Sequence, residues 1–176
     1  MRRLLIALTA LLVLALASVA GAETIMRVTV EGKGSFTIAL YTDKAPKTTS
    51  HIMKLAKNGF YDGQRFHIAI HSPRPYRVQV GDPASKSGNI DDAGSGGSGE
   101  TIPYEETNMP NEVGAVGLST LPGNPNSGDS QFYVLLGSAR FLDGKYTVFG
   151  KVTDGMDVVQ KIEKGDKIEK VTISEK

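Results

Sequence analysis

The chain has 176 residues, of which 20 are basic and 19 acidic, with three histidines and no cysteine. So even a balance, with no arginine-rich stripe, argues against nucleic-acid binding. The missing cysteine removes disulfides and a cysteine-linked lipid anchor, so stability must come from a buried core, which a chain of this length can supply.

The chain opens on Arg2 and Arg3 and an apolar run over 4–20, interrupted only by Thr9 and Ser18. Ala20-Gly21-Ala22 then matches a small-residue cleavage pattern before Glu23, with Ser18-Val19-Ala20 as an alternative. A signal peptide is expected over 1–22, because a membrane anchor needs about 20 apolar residues and this run is shorter. The remaining domain, 23–176, is expected to be exported, periplasmic or secreted, with no stable membrane insertion after cleavage.

Residues 26–30 alternate and are rich in β-branched side chains, which predicts a strand. Glu31-Gly32-Lys33-Gly34 reads as a turn and 35–41 as a second strand. Pro46 suits a first helical turn, Ile52, Leu55 and Ala56 fall at i, i+3 and i+4, and Asn58-Gly59 supplies the stop, which predicts a helix over 46–57. Short strands are predicted over 65–70 and 77–80, separated by a proline-containing turn. Residues 84–100 form a polar, glycine-rich stretch whose length marks a functional or mobile loop. Strands over 114–118, 131–136 and 146–152 precede a short helix marked by Val158, Val159 and Ile162, and 167–173 closes as a last strand. About eight mostly consecutive strands with two helices predict a mainly β fold, a closed antiparallel barrel capped by helices.

Generic motifs yield little chemistry. His67 and His71 are four apart, which on an extended segment is about 13 Å, too far to share a zinc. No metal site is expected. The glycine-rich segment 94–99 lacks the Gly-Lys-Ser/Thr ending of a phosphate loop, and no Gly-x-Ser-x-Gly elbow presents a serine nucleophile.

Longer strings carry more. FYDGQRFH starts at Phe60, VGDP ends at Pro83, GSGGSG starts at Gly94, SQFYVLL starts at Ser130 and FLDGKYTVFGKVTDGMDVV starts at Phe141. Together with the stretch from Ala39 to Gly63, and in this order, they resemble the cyclophilins over nearly the whole of 23–176. The resemblance implies a closed eight-stranded barrel with two helices. It also implies peptidyl-prolyl cis-trans isomerase activity without a cofactor, on unfolded or proline-containing polypeptides, by a monomer.

Carried over by position, Gln79 matches a glutamine that clamps the substrate backbone. Tyr76 and Tyr133 stand where phenylalanine usually walls the proline pocket, and Leu142 matches a pocket leucine. Phe141 stands where cyclosporin-sensitive members have tryptophan, which implies weak cyclosporin binding, and Tyr146 stands where a histidine often lies at the rim. Phe132 is counted with these, although strand alternation points it away from Tyr133. The family's catalytic arginine directly follows Phe-His, but Phe66-His67 is followed here by Ile68, which has no side-chain donor. Arg74, in a short insertion, and Arg77 are the candidates to replace it, Gln79 completes the catalytic set, and reduced activity is expected from Ile68. The alternative is a non-catalytic proline-peptide-binding module or chaperone on the same fold.

Overall fold

The computed structural model describes residues 23–87 and 90–175; the predicted signal segment lies outside them. The strands are β1 (Thr24–Val30), β2 (Gly34–Leu40), β3 (Ile68–Ile70), β4 (Arg77–Val80), β5 (Ala115–Leu118), β6 (Phe132–Leu135), β7 (Val148–Asp154) and β8 (Ile168–Glu175). They form one antiparallel sheet in the order β3-β4-β6-β5-β7-β2-β1-β8. Two helices, α1 (Pro46–Lys57) and α2 (Met156–Val159), pack on it.

The sheet curls because one face must be buried. Met26, Val28 and Val30 of β1 and Phe36, Ile38 and Leu40 of β2 point inward at every second position, as strand alternation requires. Helix α1 lays Ile52, Leu55 and Ala56 on the same core. Its first turn has no side-chain cap of its own. Instead Glu105 reaches in from a distant loop and accepts from the backbone N–H of Lys47 at 3.0 Å and of Thr48 at 2.8 Å. That satisfies orphan donors at the positive end of the helix.

The expected closed barrel is a curled sheet whose edges, β3 and β8, share no ladder. One bridge, Arg65 to Lys167, and hydrogen bonds from Phe66 N to Asp166 O (3.0 Å) and Ile168 N to Gln64 O (2.8 Å) join its ends. The predicted strand over 65–70 is thus cut to Ile68–Ile70. Phe66 and His67 are both buried just before it. Within the predicted loop, 3-10 turns fall at Pro83–Ser87 and Ile90–Asp92.

Neighbours on β6 serve different faces. Phe132 lies in the inner core, edge-on to Tyr61 at 5.6 Å and to Phe149 at 6.2 Å between centroids. It is therefore a core residue and not, as counted from the sequence, a wall of the substrate pocket. Tyr133 joins a second cluster on the outer face with Ala115, Leu135, Leu142 and Val148. Urea unfolding should separate these roles: Phe132→Ala is expected to cost about 3–5 kcal/mol, and the exposed Phe141→Ala less than about 0.5 kcal/mol.

Candidate active site

The outer face is built by the register of three strands. Ile68 on β3 stands opposite Gln79 on β4, and Gln79 opposite Tyr133 on β6. Arg77 lies two residues before Gln79 and so on the same face. Tyr76 precedes β4, and a 3-10 turn over Arg140–Leu142 brings up Phe141 and Leu142. The rings of Tyr76 and Phe141 lie 6.1 Å apart, as do those of Tyr133 and Tyr146. The structure thus gathers Tyr76, Arg77, Gln79, Tyr133, Phe141, Leu142 and Tyr146 on one face.

Arg77 is the cation within this group. Its guanidinium carbon lies 5.1 Å from the Tyr76 ring centroid and 6.0 Å from that of Tyr133. Its Nε is buried without a hydrogen-bond partner, and among the described residues it forms no ion pair. Arg74 is exposed in the preceding loop, and its guanidinium is not stacked on either ring. Ile68 is half-buried beside Gln79.

Gln79 has a fixed orientation. Its Nε2 donates to Ser119 Oγ at 3.1 Å and Gln131 Oε1 at 2.9 Å, and Gln131 Nε2 donates to Gly96 O at 2.8 Å. That leaves Gln79 Oε1 buried with no donor. Gln131 was missed by the sequence reading, although it lies two residues before Tyr133 and so on the same face.

Tyr133 is held as firmly. Its hydroxyl donates to Asn111 Oδ1 at 2.8 Å. Asn111 in turn donates to Asp143 Oδ1 through its backbone N–H at 2.8 Å and Nδ2 at 3.1 Å. The ring lies against Gly117, where a Cβ would come within 2.2 Å of it. Burial pushes the Tyr133 phenol well above the ordinary tyrosine range, so it stays a neutral donor. Nothing in the sequence marked Asn111, because it lies 22 residues from Tyr133.

Two carboxylates grip the glycine-rich loop beside the site. Asp82 accepts from the backbone N–H of Gly94 (2.6 Å), Gly96 (2.8 Å) and Ala84 (2.9 Å). Burial raises its carboxyl, but these three donors together hold it below the ordinary range. Asp129 accepts from Gly99 N at 2.9 Å and from the Ser98 hydroxyl. A Cβ on Gly96 would lie 2.6 Å from Asp82 Oδ1, and one on Gly97 2.3 Å from Asp129 Oδ2. The glycines let carboxylates approach. A cavity of about 220 Å³ opens between this loop and Ser119, Leu121 and Gln131.

His67 lies beneath, buried, with neither ring nitrogen hydrogen-bonded. Burial lowers its pKa; Asp82 opposes this, while Arg77 and Lys164 add to it. Among the described residues no cluster of metal-ligating groups occurs. The histidine shift has a direct consequence. The unfolded chain binds His67's proton near pH 6.5, the folded chain only below that. Stability is therefore expected to fall as pH drops below about 6.5, and urea midpoints should show His67→Gln flattening this part of the profile.

The chain has known relatives. The family model described as cyclophilin type peptidyl-prolyl cis-trans isomerase matches residues 25–176. A Brucella suis protein described as "Probable peptidyl-prolyl cis-trans isomerase" is 41% identical over 143 residues, covering 77% of this chain and 70% of its own. The "Peptidyl-prolyl cis-trans isomerase-like 1" of Rhizopus delemar is 39% identical over 132 residues, covering 73% and 74%. Among solved structures, a Cryptosporidium parvum cyclophilin crystallised in the presence of the dipeptide Ala-Pro superposes with a TM-score of 0.71 at 23% identity, covering 85% of this chain and 98% of that one. A cyclophilin from Hirschia baltica gives 0.70 at 22% identity, covering 84% and 73%. The sequence matches carry the activity and the superpositions the fold: this chain belongs to the cyclophilin-type peptidyl-prolyl cis-trans isomerases.

Proposed function

We propose that the protein isomerises X-Pro bonds in exported polypeptides, with Arg77 in place of the arginine that the family has at position 68. One observation carries this reading. On the same face of β4, Arg77 Nε is a buried donor without an acceptor and Gln79 Oε1 a buried acceptor without a donor. A buried, unsatisfied polar group costs about 1–3 kcal/mol, so the pair fits a ligand whose binding shifts these side chains enough to reach and satisfy both. A peptide backbone does, since it offers acceptors and N–H donors a few ångströms apart, while Tyr76, Tyr133 and Leu142 offer apolar surface to a proline ring.

The chemistry follows from amide resonance. Rotation about the peptide bond meets a barrier of about 18–20 kcal/mol. In the twisted state the proline nitrogen recovers its lone pair and accepts a hydrogen bond that it refuses when planar. A guanidinium aimed at that nitrogen therefore favours the transition state over both ground states. Arg77 approaches from β4, whereas a side chain at position 68 would approach from β3. Its aim differs, and a turnover below that of a fully equipped site is the expected result.

Arg2, Arg3 and the apolar run after them support a role outside the cytoplasm, periplasmic or secreted. The Ala-Pro dipeptide used with the Cryptosporidium relative supports proline-containing segments as substrate. Ile68 is the observation that favours a second reading, a proline-peptide-binding module without turnover.

Exchange NMR on a blocked Ala-Pro peptide decides between them. The native protein is expected to speed exchange, Arg77→Leu to lose about 10²–10³ of that acceleration, and Arg74→Ala to change it less than about two-fold. Acceleration that survives Arg77→Leu overturns the assignment. Binding without acceleration by the native protein supports the second reading.

A further inference from the structure

Among the described residues Arg77 forms no ion pair, and Asp82, Asp129 and Asp143 beside the site are each held by other partners. Asp82 is held by Gly94, Gly96 and Ala84, and Asp129 by Ser98 and Gly99. Asp143 accepts from Asn111 and Arg140, and Arg140 also pairs with Glu112. The Arg77 charge is left to the faces of Tyr76 and Tyr133, which attract a cation but do not neutralise it. The Tyr133 hydroxyl is committed to Asn111. The site thus presents a half-buried, unneutralised guanidinium in its wall, where screening by solvent is weaker than at the surface.

From this we infer that the groove selects peptides with a carboxylate side chain directly before the proline, Asp-Pro or Glu-Pro, and turns them over more slowly than neutral ones. The inference rests on Arg77 facing the peptide, as in the function proposed above. The isomerising bond joins the preceding residue to the proline nitrogen. A guanidinium within reach of that nitrogen is also within reach of the preceding side chain. A carboxylate there forms a charge-assisted pair with the fork of Arg77. The same pairing draws donors away from the nitrogen, so tighter binding and slower exchange come together.

The test uses blocked Ala-Glu-Pro-Ala, Ala-Gln-Pro-Ala and Ala-Lys-Pro-Ala, with affinity from NMR titration and rate from exchange at saturation. The glutamate peptide is expected to bind about ten-fold tighter than the glutamine peptide at low salt, with the lysine peptide weakest, and to exchange more slowly when bound. The advantage should shrink with added salt, persist in Arg77→Lys and vanish in Arg77→Gln, whose neutral side chain still fills the space. Equal affinities for the glutamate and glutamine peptides, or a preference that survives Arg77→Gln, overturn the inference. Failure of the isomerase reading looks different: the glutamine peptide binds but its exchange is not accelerated, while the affinity ratio still decides the charge preference.

Discussion

Gln79 stands opposite Tyr133 because Val78 and Val80 of β4 and Phe132 and Val134 of β6 must be buried together. A slip of β4 by one residue against β6 would turn Val78 and Val80 to the outside and drive Arg77 and Gln79 into the core. The inner core thus fixes the outer site. The close approach of Gly81 to β6 reinforces this register, since a Cβ there would lie 2.3 Å from Ser130 O. Tyr61 adds to it by donating to the same carbonyl at 3.0 Å. The geometry of the candidate site is a by-product of packing on the opposite face of the same strands.

Around that frame, polar groups set orientation. The chain from Gln79 to Gln131 to Gly96 ties a site residue to a loop that is itself held by Asp82 and Asp129. The chain from Tyr133 to Asn111 to Asp143 ties the other wall to the turn that carries Leu142. Each buried group in these chains is worth more satisfied than its net hydrogen-bond energy suggests, because removing one partner strands the other. The unsatisfied atoms on the same strand face, Arg77 Nε and Gln79 Oε1, stand out against this background.

Much of this was legible in the sequence where the signal was periodic. The 46–57 helix was read to its ends, because Pro46 and Asn58-Gly59 mark both. The β4 strand over Arg77–Val80 matches its predicted bounds, and of the candidate site residues Tyr76, Arg77, Gln79, Tyr133, Phe141, Leu142 and Tyr146 lie on one face, while Phe132 lies in the core and Arg74 in the exposed loop. Phe132 entered the pocket by adjacency to Tyr133, against its own alternation. The ladder of β3 covers only Ile68–Ile70, because Arg65 pairs instead through an isolated bridge to Lys167, a contact with a segment far along the chain. Asn111, Ser119 and the grip of Asp82 and Asp129 on the glycines arise from contacts between segments far apart in the chain, which no local pattern encodes. Arg74 and Arg77 were indistinguishable by sequence. Strand direction separates them, since Arg77 lies inside β4 and Arg74 in the exposed turn before it.

The claim that most needs a direct observation is that Arg77 itself touches the peptide backbone. With 15N-labelled arginine and glutamine side chains, titration with a blocked Ala-Pro peptide would follow the Arg77 Nε–H and the Gln79 amide. The account requires both signals to move together along one saturation curve, with slower solvent exchange of the Arg77 Nε–H in the complex. A curve in which Gln79 moves while the Arg77 Nε–H stays still, or in which Arg74 moves instead, would contradict it.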